Sequence, residues 1–380
     1  MANFNPHQNL SHLDFEPKST GGGGGYRSYL ISGIKKPRTK LLATPQTRTR
    51  YTFLMRFHSL ARVAAASMLI SLLATQPAFA WGRDGHMLIN RLAIQYLPAD
   101  VPAFLRNGNA LDTVEYLGPE PDRWRGREEA ELSSTQAADH FIDMEWAQLA
   151  AKPCTTEPDC TNGFLFPKKR YDFIRALALA QPAHPELKLT PEGVGLQPWQ
   201  VEEVWQRLKI DFREYRKLVA ANQDTAPVQT AILFDAGWLG HYVGDGSMPL
   251  HTTIQYNGWQ PGTPNPNGYT TDHKIHSQFE SIYVSANIKP ADVAPLVAAS
   301  KPTAIADEWT NYLEYLGHTH TFIEQTYKID KANGFIDAGT PDAKAFTAER
   351  LAAGAIQLRD MIYSAWLHSA DPVQEYHGPQ

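Results

Sequence analysis

The sequence predicts an all-α protein, a single large helical bundle domain with long rim loops. Three observations carry that expectation. Apolar residues recur at three- and four-residue intervals in six segments, the alternation that marks half-buried strands is scarce, and no linker after residue 81 divides the chain. The longest stripe is Val201, Val204, Trp205, Leu208, Phe212, Tyr215, Leu218 and Val219, one amphipathic helix. Similar stripes run from Leu88 to Tyr96, Tyr171 to Leu179, Ala231 to Val243, Trp309 to Tyr327 and Phe346 to Trp366. The connections 100–135, 150–168 and 255–272 are rich in Pro, Gly and Asn and read as loops on the rim of the bundle. Loops of that length often serve function.

Composition bounds the function. With 380 residues, 43% of them hydrophobic and 20% charged, the chain can bury a full core. Its formal net charge of −5 provides no basic field of the kind that dominates non-specific nucleic-acid binding. A polyanionic substrate would therefore need a local positive site, which bound metal can supply. The two cysteines, Cys154 and Cys160, close a very short loop. In an exported protein this favours a disulfide over a redox pair or half a zinc site, for which the CxxC spacing is missing.

Three regions follow one another. Residues 1–54 hold five consecutive glycines among scattered Lys, Arg, Thr and Pro, and read as disordered or as a mis-assigned upstream extension. Residues 55–80 have the layout of a signal peptide. Arg56 and Arg62 form a basic start, Val63 to Leu73 an apolar run, and Ala78-Phe79-Ala80 a small-x-small cleavage site. The apolar run falls short of the ~20 residues that span a bilayer. Cleavage after Ala80 would leave Trp81 as the first residue of a secreted or periplasmic domain, 81–380.

Within that domain, His241 and Asp245 stand four apart in a helical stretch, hence on one face. Pro249 is read as ending this helix, and His251 follows where the chain turns. A second pair at the same spacing, His276 and Glu280, opens another helix. Imidazole and carboxylate presented this way suit zinc, and helical bundles build metal sites from such pairs on facing helices. A lone pair of this kind is more often a surface hydrogen bond. The constellation weighs more, because Trp81-Gly82-Arg83-Asp84-Gly85-His86, Pro121-Asp122-Arg123-Trp124-Arg125 and His140-Phe141-Ile142-Asp143 precede these motifs in a known order.

In that order the chain resembles the trinuclear-zinc superfamily: the secreted single-strand nucleases and 3′-nucleotidases of the S-one/P-one type, and the zinc-dependent bacterial phospholipases C. The resemblance runs from Trp81 to about Glu280. It implies three zinc ions in a cleft. One would be held by Asp122, His140, His241 and Asp245, a second by His251, His276 and Glu280, and a third by the α-amine and carbonyl oxygen of Trp81 with His86 and Asp245. A free α-amine can donate a lone pair and a peptide nitrogen cannot, so cleavage would also be activation. His184, His273, His318 and His320 have no place in this pattern and read as surface or structural.

The implied reaction is hydrolysis of a phosphate ester by metal-activated water. In it Asp122 would also orient the water and Arg125 would reach the phosphate, while Phe141 and Asp143 would stack on and hydrogen-bond a base. The plainer readings are a loop cation for Arg125, a core ring for Phe141 and a helix cap for Asp143. The six-residue run from Trp81 to His86 points to the nucleases, acting on single-stranded nucleic acid or nucleotides. Glu280, the run His276 to Glu280, and the absence of Asp-x-Gly-Gly-Asn after His251 point to the alternative, a phospholipase C acting on phospholipid headgroups. A second alternative is a non-catalytic secreted helical zinc-binding protein. No obligate protein partner is evident.

Overall fold

The computed structural model describes residues 81–373 apart from 127, 158 and 162. The expected upstream extension, signal peptide and cleavage site, residues 1–80, lie outside the described residues. The described residues include nine helices of nine or more residues: α1 (Gly82–Gln95), α2 (Gly108–Leu117), α3 (Arg170–Ala180), α4 (Gln197–Ala220), α5 (Ala226–Asp245), α6 (Pro290–Ala299), α7 (Glu308–His320), α8 (Ile323–Lys331) and α9 (Pro341–His368). The only described sheet pairs β1 (Lys152–Pro153) with β2 (Phe164–Leu165), closed by the Cys154–Cys160 disulfide. The expected all-α class holds.

The centre is α5, which packs against α1, α2, α4 and α9. Its C-terminal half is buried on every side from Ala236 to Asp245 apart from the part-buried Trp238, as expected of a helix that is apolar around its circumference. Two glycines make the approach of α1 possible. A Cβ at Gly240 would collide with the Asn90 side chain, and one at Gly244 would stand 3.1 Å from His86 Nδ1. Asn90 then uses the close approach, donating to the carbonyls of Val114 (2.9 Å) and Gly237 (3.0 Å) and so tying α1 to α2 and α5.

Several boundaries differ from expectation. The helix carrying His241 ends at Asp245, four residues before Pro249, with Gly246 as its cap. Pro249 acts one step later by holding Met248 in extended backbone. The segment 100–135 is largely helical: Asn107 caps α2 by accepting from Ala110 N at 2.8 Å, and the short helices Glu120–Arg123 and Ala130–Ala137 follow. The Trp309–Tyr327 stripe is two helices, interrupted at Thr321 and Phe322. On α3 the buried residues are Phe173 and Leu177, while Tyr171 and Leu179 are 79% and 76% exposed. The segment 255–272 is irregular as expected and is pinned from inside by Trp259, Tyr269 and Tyr327, which pack on one another.

Candidate metal centre

Eight side chains converge from six segments. His86 comes from the second turn of α1, Asp122 from the Glu120–Arg123 turn and His140 from the end of the 3₁₀ turn Ala138–His140. His241 and Asp245 come from the last turns of α5, and His251 from the 3₁₀ turn Pro249–His251. His276 and Glu280 lie on a helix beginning at Ile275 that widens to a π-helix over Gln278–Tyr283. A π segment inside an α-helix often marks a functional site.

Asp245 is the hub. Its Oδ1 lies 3.3 Å from His86 Nε2, and its Oδ2 lies 3.2 Å from His140 Nδ1, 3.4 Å from His241 Nε2 and 3.9 Å from His251 Nδ1. Asp122 Oδ1 stands 3.8 Å from His241 Nε2 and 3.9 Å from His140 Nδ1. A second group adjoins the first: His276 Nε2 is 3.0 Å from Glu280 Oε2 and 3.2 Å from His251 Nε2. Three sets could each hold an ion: His86 with Asp122 and His241, His140 with His241 and Asp245, and His251 with His276 and Glu280.

Main-chain carbonyls aim three of the rings. The Nδ1–H groups of His241, His251 and His276 donate to the carbonyls of Gly118 (2.8 Å), His140 (2.7 Å) and Tyr256 (2.8 Å). Each bond places the proton on Nδ1 and leaves the Nε2 lone pair directed into the cluster, the arrangement that orients metal-ligating histidines. The buried Gln197 amide bridges the carbonyls of His140 and Tyr242 at 3.1 and 3.2 Å. None of these supports was visible in the sequence, because carbonyl partners carry no residue signature. The glycines at 237, 240 and 244 were the one legible signal, a one-face stripe on α5.

Charge in this centre is out of balance. Both oxygens of Asp122 and Oδ1 of Asp245 are buried and receive no hydrogen bond. Burial pushes both carboxyls up to about 8, and it holds His140 and His241 well below the ordinary histidine range. Burial also disfavours charge on His276 and Glu280, but their mutual contact outweighs it, raising His276 and keeping Glu280 low. The carboxylates of Asp122 and Asp245, in a dry site with the neutral imidazoles of His140 and His241, are stable as anions only beside cations. An imidazole- and oxygen-rich donor set with lone pairs turned inward fits zinc or a similar divalent ion.

The remaining predicted residues divide. Arg125, one-third exposed, brings Nη1 to 3.5 Å from Asp122 Oδ1. Phe141 is half-buried, and its carbonyl accepts from Gln197 N at 3.2 Å. Asp143 is buried and its carboxyl is pushed up to about 8 by burial, with the Glu145 charge adding to it. It sits at the cap position of the short helix Met144–Ala147 without making a side-chain cap bond. Trp81 is fully buried. Its indole N–H donates to Gly244 O and to Ser247 Oγ, both at 2.8 Å, and its carbonyl accepts from Gly85 N at 3.1 Å. His184 lies beside Glu186 at 4.0 Å, and His273 is exposed with Nδ1 donating to Asn257 O.

No protein-family model matches the chain, and no curated protein matches it. Among solved structures, the alpha-toxin of Clostridium perfringens, isolated from avian strain SWCP, aligns with 75% of this chain at 12% identity and a TM-score of 0.35. The chain spans 64% of that protein's length.

Proposed function

We propose that this protein is a zinc-dependent hydrolase of phosphate esters. The observation that supports the reading is the burial of three carboxylates among five imidazoles, with both Asp122 oxygens and Asp245 Oδ1 lacking a hydrogen-bond donor. His86, Asp122, His140, His241 and Asp245 would hold one part of the metal cluster, and His251, His276 and Glu280 the other. Divalent ions bound there would supply positive charge for phosphoryl oxygens and acidify a coordinated water. Arg125 would pair with a phosphoryl oxygen from the open side, and an Asp122 oxygen would orient the attacking water by accepting its hydrogen. Three zinc ions are the proposed complement, the third bound by His86 and the main chain of Trp81. The buried indole supports this by anchoring the start of α1 to Gly244, the neighbour of Asp245. Export and cleavage after Ala80 are part of the same proposal.

The rim favours a single phosphodiester, such as a phospholipid headgroup, over a polynucleotide. Among the described Lys and Arg residues, Arg125 is the one within 4.0 Å of a cluster carboxylate, whereas nucleic acid binds along grooves that neutralise successive phosphates. Tyr256, 51% exposed with its ring centroid 6.1 Å from that of His276, adds an aromatic surface at the rim. The second reading, a nuclease or 3′-nucleotidase, rests on the half-buried Phe141 ring beside His140 as a base platform. Metal analysis of protein beginning at Trp81, with hydrolysis of phosphatidylcholine, single-stranded DNA, RNA and 3′-nucleotides measured with and without chelator, tests both. Chelator-sensitive diacylglycerol release supports the first, and nucleotide or nucleoside release the second. A protein that binds no metal refutes the proposal.

A further inference from the structure

We propose that Glu145 and His320 are positioning residues that hold His251 in place for metal binding, an inference that rests on the metal reading above. His251 ends a 3₁₀ turn and is followed by irregular chain, so no helix sets its direction. The next three residues are instead gripped from two sides. From one side, Ile142 N donates to His251 O (3.0 Å) and Met144 N to Thr252 O (3.2 Å). Glu145 continues the grip: Oε1 accepts from Thr253 Oγ1 at 2.5 Å and Oε2 from Ile254 N at 3.2 Å. From the other side, His320 at the end of α7 donates through Nδ1 to Thr252 O at 2.8 Å, with its Nε2 4.0 Å from Glu145 Oε1.

Thr252 and Thr253 are fully buried, so the polar groups of this segment depend on these partners. The segment therefore has one hydrogen-bonded arrangement, and it fixes the backbone from which His251 reaches His276 and Glu280. This also gives His320 a role, where the motif order assigned it none. Partners of this kind typically change metal affinity 10–100-fold.

The test strips the purified protein with chelator and titrates it with Co²⁺, read by visible absorption, and with Zn²⁺, read by competition with a chromophoric chelator. Glu145→Ala removes the acceptors of both Thr253 Oγ1–H and Ile254 N–H, His320→Ala removes the donor to Thr252 O, and His320→Asn restores an N–H at the position of Nδ1. Expected are about tenfold or greater weakening of one class of bound ion in Glu145→Ala and His320→Ala, and recovery in His320→Asn. Helical content and melting of the stripped variants are followed in parallel. Variants that melt lower yet bind metal as the parent does overturn the inference and leave the metal reading standing, and so does His320→Asn behaving as His320→Ala. If His320→Ala does not fold, Glu145→Ala and His320→Asn decide the matter. A parent protein that takes up neither ion overturns both.

Discussion

Removing metal turns the centre into a pH-dependent liability whose sign follows from its groups. Asp122 and Asp245 have folded values of about 8 against an ordinary 3.8, so between those limits the folded chain binds more protons than the unfolded one. Their contribution is complete below about 4 and is lost as pH rises towards 8. His140 and His241, depressed by burial, act oppositely but only below the unfolded histidine value of about 6.5. His276, raised, loses its contribution as pH climbs through its folded value. Between about pH 6.5 and 8 the carboxyl and His276 contributions therefore all decline together. Integrating the proton difference gives about 2 kcal/mol if one carboxyl counts and about 3 kcal/mol if both do. At roughly 2–4 °C per kcal/mol for a chain of this size, the chelated protein should melt roughly 4–12 °C lower at pH 8 than at pH 6.5. The zinc-loaded protein should hold or gain stability over the same interval, because metal competes better for deprotonated ligands. Calorimetric or circular-dichroism melts with chelator and with zinc would measure the divergence. A chelated protein whose Tm is flat or rises between pH 6.5 and 8 refutes the reasoning.

Asp245→Asn should invert the usual response. At about pH 8 and above the metal-free variant should melt higher than the metal-free parent, because the amide cannot ionise in the buried site as the Asp245 carboxyl does there, while bound metal falls by at least one equivalent and hydrolysis by about 100-fold or more. Arg125→Ala should leave metal content unchanged and lower kcat/KM by roughly 10²–10³-fold, measured on a chromogenic phosphodiester. Asn90→Ala removes both donor bonds that tie α1 to α2 and α5, so urea unfolding should show a loss of about 1–3 kcal/mol with unchanged m. One extra residue ahead of Trp81 should cost one equivalent of bound metal without changing the melting of the chelated protein. Full metal content in that extended form would remove Trp81 from the proposed ligand set.

Much of the architecture was legible because helical periodicity is a local property. The stripes in α1, α4, α5 and α9 each announce a buried face, and Thr340-Pro341 opens α9 by a local rule, with Thr340 Oγ1 accepting from Ala343 N at 3.2 Å. The same locality explains His241 with Asp245 and His276 with Glu280, since one helical turn brings such pairs together in any fold. Where composition replaced periodicity, the reading slipped. Asn107-Gly108-Asn109 has the composition of a loop, yet Asn107 is the cap of α2. On α3, counting Tyr171 and Leu179 into the stripe missed that they lie outside the arc defined by Phe173 and Leu177.

Sequence alone determined the helical class, the pairs spaced by one turn and the inventory of residues able to bind metal, because each depends on intervals of a few positions. Only the tertiary structure decided that His86, Asp122 and His140 meet Asp245 across separations of more than a hundred residues. It also decided which carbonyls turn the imidazoles inward and that Glu145 and His320 clamp the chain behind His251. Those choices are made by packing: α1 reaches His86 to Asp245 because glycines on α5 let two helices approach, and burial then gives the centre its unbalanced charge.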